Sequence, residues 1–129
     1  MLGLQRVQLP TVIAIMTAAA GPKILKEPLY QLLREDKIEE FNRKRPQGPI
    51  DLRDANLRGC DLRKANLSHA DLSGAYFRNA DLRGVDLSTA QLDGASLASA
   101  QVSGCLFPAS IAAEEIRLSL DHGTRLRAR

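Results

Sequence analysis

Tryptophan is absent from the 129 residues, and two tyrosines and three phenylalanines are the only large aromatic rings. This argues against a core built on large rings. Two cysteines are too few for a disulfide scaffold or a four-cysteine zinc site. No uninterrupted apolar run approaches the ~20 residues of a membrane-spanning helix. The two histidines, His69 and His122, have no serine, cysteine or metal-ligand pattern around them, and no phosphate-binding glycine loop occurs. The sequence thus offers no catalytic residue, no metal site and no cofactor.

Charge of one sign is also scarce. The net charge is +3, and the excess lies at the ends: residues 1–49 carry +3, residues 50–109 carry −1 and residues 110–129 carry +1. A nucleic-acid-binding element needs clustered cations, and the nearest cluster is Arg43, Lys44 and Arg45 beside Pro46. Those three suit the C-terminal end of a helix, where cations meet the dipole, so nucleic acid is not an expected partner.

What the sequence does contain is a repeat. From Ile50 it reads IDLRD ANLRG CDLRK ANLSH ADLSG AYFRN ADLRG VDLST AQLDG ASLAS AQVSG CLFPA, twelve blocks of five without a gap. The third position is Leu in nine blocks, with Phe77, Val102 and Phe107 in the rest; the first is Ala in eight. A helix would rotate successive leucines by ~140°, wrapping them around every side. A strand would send them to alternating faces, because five is odd. Only a backbone that turns once per block keeps every leucine inward, and four turns close a 20-residue coil. Gly59, Gly74, Gly84, Gly94, Gly104 and Asn79 end blocks at corners, where a left-handed residue is needed.

Blocks such as ANLRG, ADLSG and ADLRG match the consensus A(D/N)LXX, and the chain resembles the pentapeptide-repeat family over residues 50–109. The resemblance implies an all-β fold, a right-handed quadrilateral β-helix of about three coils. Some members of that family are DNA mimics that bind DNA gyrase, which makes a gyrase- or topoisomerase-binding mimic the alternative function. Seven acids offset by six bases are too few to imitate a duplex, which carries one charge per ~1.7 Å. A non-catalytic protein-interaction or structural module is the first expectation.

Stacked coils leave two open ends, and both flanks read as short α-helical caps. In residues 23–49, Pro28 suits a first helical turn, Leu29, Leu32 and Leu33 share a face, and a break near Glu35 leads to a second helix opened by an Asp36/Glu39 capping box. In residues 110–129, Ala112, Ala113, Ile116 and Leu120 form a stripe that Gly123 stops, followed by a basic tail. Leu118 lies off the stripe and marks the C-terminal end as a place for a homodimer. Residues 1–22 read as an apolar N-terminal extension, flexible or packed on the cap, or else as a signal peptide. Cys60 and Cys105 occupy the inward small-residue position about two coils apart, too far to bond, and favour a reducing cytoplasm unless residues 1–20 direct export.

Counting every fourth block sorts the surface into four sides. The second and third carry Arg58, Arg63, Lys64, Arg78 and Arg83 against Asp61 and Asp81; the fourth and first carry Asp51, Asp54, Asp71, Asp86 and Asp93 against Arg53. Arg58 should stack near Arg78, and Arg63 near Arg83, at about one coil spacing. Tyr76 replaces the usual Asp or Asn among them. The expected partner is a protein with an acidic surface, bound by Arg58, Arg63, Lys64, Tyr76, Arg78 and Arg83.

Overall fold

In the computed structural model, which describes residues 23–129 with side chains from residue 28 onward, parallel pairing recurs at a spacing of 20 residues. The reading of residues 1–22 as extension or signal lies outside the described residues. Among the described residues, regular strand is confined to β1, Ile50–Asp51, and β2, Ala70–Asp71. Elsewhere a single bridge stands where a strand would, because the chain turns again within each block. The bridges form four ladders: Asp51–Asp71–Gln91, Asn56–Tyr76–Ser96, Asp61–Asp81–Gln101 and Asp86–Leu106. This is a β-helix.

Its interior is the column of third-position side chains. Leu52, Leu57, Leu62, Leu72, Phe77, Leu82, Leu87 and Leu97 have no exposed surface, and the first-position Ala75, Ala80 and Ala95 are equally sealed. Each buried Leu contributes roughly 1.5–3 kcal/mol. The corners behave as their residues predict: Gly59, Gly84 and Asn79 take φ of 71°, 75° and 60°. Asp54, His69 and Ser99 also turn left-handed, at 58°, 59° and 57°. At Gly74, with φ of 71°, a Cβ would also displace the Asp54 carboxylate, which packs over it.

The first coil is closed by side chains. Helix α1 spans Lys23–Arg34 and α2 spans Ile38–Lys44. Their apolar residues Leu33 and Phe41 are buried over the first coil. Their polar residues satisfy the backbone groups its edge leaves open. Tyr30 Oη donates to Asn56 O at 2.9 Å, and Arg34 Nη1 to Arg58 O at 2.7 Å. Asn42 acts as a strand residue would: its Nδ2 donates to Lys64 O and its Oδ1 accepts from Asn66 N. Arg45, buried to 8% exposure, donates to Asn66 O, Pro46 O and Gly48 O at 2.6, 2.8 and 2.9 Å.

Two sequence expectations are corrected here. Pro28 lies inside α1 and not at its start, and the helix carries it at the loss of one backbone hydrogen bond. The Asp36/Glu39 capping box does not form. Lys37 is the N-cap of α2 and has no side-chain cap, while Asp36 takes φ of 64° to end α1. Reversing the chain there requires a left-handed residue, and Asp is among the few side chains that accept that conformation.

The last coil is closed mainly by backbone. Helix α3, Ala113–His122, ends at Gly123 with φ of 72°. Ile116 and Leu120 pack on the core, whereas Ala113 is exposed; the fully buried position is Ser119. Ser119 Oγ accepts from Leu97 N and donates to Thr124 O. The chain then adds an antiparallel edge to the second ladder. Arg125 bridges Ser96, Gly94 N donates to Leu126 O at 2.7 Å, and Leu126 N donates to Ala95 O at 2.8 Å. Leu126 is 1% exposed and plugs the end of the core.

Candidate functional site

The surface chemistry follows from a relation inside each block. The second and fourth side chains point the same way along a short extended stretch, so an acid at the second reaches a base at the fourth. In IDLRD, CDLRK and ADLRG it does. Arg53 Nε meets Asp51 Oδ1 at 3.0 Å, and Arg63 Nη2 meets Asp61 Oδ2 at 2.7 Å. Arg83 Nη2 meets Asp81 Oδ2 at 2.7 Å. In each the carboxylate also accepts from the arginine's backbone N–H, as in Arg63 N to Asp61 Oδ1 at 3.2 Å.

These pairs link upward. Asp81 Oδ2 lies 3.4 Å from Arg63 Nε as well as beside Arg83, which puts a carboxylate between the two arginines. Hydrogen bonds from Arg63 hold the Asp61 carboxyl down at about 2, and those from Arg83 lower Asp81. Arg63 and Arg83 are raised in turn, chiefly by the same bonds. The stacking of Arg63 near Arg83 is therefore compensated from within, and needs no outside anion.

Arg58 and Arg78 differ because the second residue of their blocks carries no charge. Arg58 Nε donates to Asn56 Oδ1 at 2.9 Å, a neutral acceptor. Arg78 follows Tyr76, and among the described residues its side chain has no hydrogen bond and no ion pair. The two are held on adjacent coils by Asn56–Tyr76 pairing and by Gly59 N donating to Arg78 O at 2.8 Å. Blocks 55–59, 75–79 and 95–99, which make up this side, contain no acid.

The flanks extend this side. From below, Arg34 Nη1 reaches Asn56 O, Arg58 O and Cys60 Sγ, at 3.3, 2.7 and 3.0 Å. From above, the Arg125 guanidinium lies 5.1 Å from the Tyr76 ring centroid and donates to Tyr76 Oη at 2.9 Å and Gly94 O at 2.7 Å. Tyr76, 38% exposed, is thus an anchor for the C-terminal tail as well as a surface ring. Arg125 was legible in principle: TRLRAR alternates basic and apolar residues with the period of a strand.

Of the six residues singled out from sequence, Arg58, Tyr76 and Arg78 share the second ladder's side, while Arg63, Lys64 and Arg83 lie on the third. Arg63 and Lys64 also line an open groove of about 650 Å³ against α2, shared with Asp36, Glu39, Arg43 and Asp61. Its mixed charge distinguishes it from the purely basic second side. Cys60 is buried and Cys105 half-buried; burial raises both thiols, Cys105 to about 11, so neither is a ready nucleophile. Among the described residues no helix is long and apolar enough to cross a membrane.

The family described as Pentapeptide repeats matches residues 50–88 and 70–107, in eight copies of the repeat. No curated protein matches the chain.

Proposed function

With residues 50–107 belonging to the pentapeptide-repeat family, we propose that the protein is a non-catalytic interaction module that holds an acidic protein on the basic half of its β-helix. The β-helix is read as a right-handed quadrilateral of about three coils. The 20-residue pairing and the turn in every block support that reading. The observation that carries the function is the side bearing Arg58 and Arg78 with no carboxylate of its own. Cations on a rigid surface, one coil apart, repel unless a partner's anions lie against them. Lys64 adds a third cation without an ion pair among the described residues, on the adjoining side.

The gyrase-binding DNA mimic has less support. Of the acids on the opposite half, Asp51 is paired with Arg53, and Asp71 lies 3.9 Å from the same guanidinium. The remaining Asp54, Asp86 and Asp93 make a sparse row beside the charge density of a duplex. Two free thiols are in keeping with a reducing cytoplasm. Self-association through the C-terminal end belongs to the same reading, supported by Leu106 and Leu118, 56% and 40% exposed.

The test is capture of the partner from the cell of origin with the intact chain, followed by charge reversal. Arg58→Glu and Arg78→Glu should abolish capture, while Asp71→Lys and Asp93→Lys should leave it. Loss from the acidic half alone, or equally from both, refutes the assignment.

A further inference from the structure

Resting on that reading, we propose that the Arg58–Arg78 column receives a single α-helix of the partner, laid along the coil axis with a row of carboxylates at three- and four-residue spacing. The molecule itself displays the ligand this arginine position takes. Arg63, at the same place in its block, grips Asp61 through two parallel bonds, Nε to Oδ1 at 2.9 Å and Nη2 to Oδ2 at 2.7 Å. That fork is the guanidinium's preferred match for a carboxylate. Asn56 offers Arg58 one oxygen and leaves the Nη groups; Tyr76 offers Arg78 none. The second side thus presents the donor half of the Arg63–Asp61 fork entire at Arg78 and its Nη arm at Arg58, with no carboxylate to accept either.

Spacing selects the shape of the ligand. Coils stack at about 4.8 Å. Carboxylates at i and i+3 of a helix rise about 4.5 Å, and at i and i+4 about 6 Å. Same-face residues of an extended strand stand about 6.8 Å apart and lose register with the arginines after one coil. Width agrees: one side of the coil is on the order of 10 Å across, the diameter of one helix with its side chains. A broader polyanion would overhang the first side, where Asp51, Asp54, Asp71 and Asp93 outnumber the single Arg53 and would repel it.

The experiment is fluorescence anisotropy with the full chain and three probes. They are a labelled helical peptide with Glu at i, i+3, i+7 and i+10, a peptide of the same composition broken by proline, and a duplex DNA of equal charge. The helical peptide should bind most tightly, with affinity falling as salt rises. Asn56→Asp should weaken it about fivefold, by giving Arg58 an internal carboxylate worth up to ~1 kcal/mol. Arg78→Gln should do the same by removal. Asn66→Asp, the same charge change on another side, should alter affinity less than about twofold. None of the three variants should melt below the parent, and Asn56→Asp should melt slightly above it if the new pair forms. Equal binding of the broken peptide, tighter binding of DNA, or an Asn66→Asp loss matching Asn56→Asp overturns the proposal. If no peptide binds yet Arg58→Glu still abolishes capture of the natural partner, the helix is wrong and the interaction module stands. If capture also survives, both fall.

Discussion

Replacing Arg45 with methionine tests whether side chains close the first coil. Arg45 is the buried cation of the N-terminal cap, and burial lowers its pKa without depriving it of charge at neutral pH. Its three carbonyl partners differ in weight. Pro46 O and Gly48 O belong to the turn that Arg45 itself begins, whereas Asn66 O lies 21 residues away and joins the cap to the coil. Methionine keeps most of the apolar stem and loses every donor. Hydrogen bonds from a charged group contribute ~1.5–3 kcal/mol each, less where water replaces them. Counting the Asn66 bond in full and the turn bonds at a fraction gives a loss of about 3 kcal/mol, on the order of 10 °C in Tm for a chain of this size. Arg45→Lys keeps the charge but cannot fork, and should lose roughly half as much. Arg43→Met, on the exposed side of the same helix, is the control. Calorimetry or circular dichroism melting measures all three. A Tm for Arg45→Met within about 2 °C of the parent, or an equal fall for Arg43→Met, would refute side-chain closure.

Leu72→Asp, in the middle coil, buries an unpaired charge and should abolish folding; a soluble variant with a cooperative melt would sink the β-helix. Leu126→Ala should cost about 2–3 kcal/mol, read as a lowered denaturation midpoint, while deletion of residues 110–129 should produce aggregation visible by light scattering, because the last coil's edge and core are then exposed. A deletion that stays monomeric with unchanged melting would show that this segment is no cap. Because Arg63 depresses the folded Asp61 carboxyl to about 2, its contribution is complete above the unfolded value of about 3.9 and is lost as pH falls through the folded one. The pair is exposed, so the loss should stay below ~1 kcal/mol. Asp61→Asn should flatten that acid limb, and an unchanged slope would remove the pair from the account.

The coil was legible because a spacing of five admits one solution, and Leu52 through Phe107 keep it without interruption. The caps were legible as apolar helices but not as hydrogen-bonding devices. Nothing local to Asn42 or Arg45 says that the carbonyl it meets in the coil lies more than twenty residues ahead. Asp36 misled because one residue type serves both as a helix opener and as a left-handed closer. The surface is finer-grained than its summed charge for a different reason: charges summed by side conceal that Arg63 and Arg83 are paired within their own blocks while Arg58 and Arg78 are not. The distinguishing letters, Asn56 and Tyr76 against Asp61 and Asp81, were present in the sequence. What they meant depended on the second and fourth side chains facing the same way.

Each end is closed by groups addressed to the coils nearest it: Tyr30, Arg34, Asn42 and Arg45 touch the first, and Ser119 and Leu126 the last, with Arg125 reaching down one further coil to Tyr76. Length is therefore a free variable of this architecture. A duplicate of residues 70–89 inserted after Thr89 would meet the same neighbours above and below that each coil already has, and both terminations would dock unchanged. It would add one more arginine to the column at Arg58 and Arg78, so the reach of the basic side is set by how many coils the gene encodes, independently of how either end is sealed.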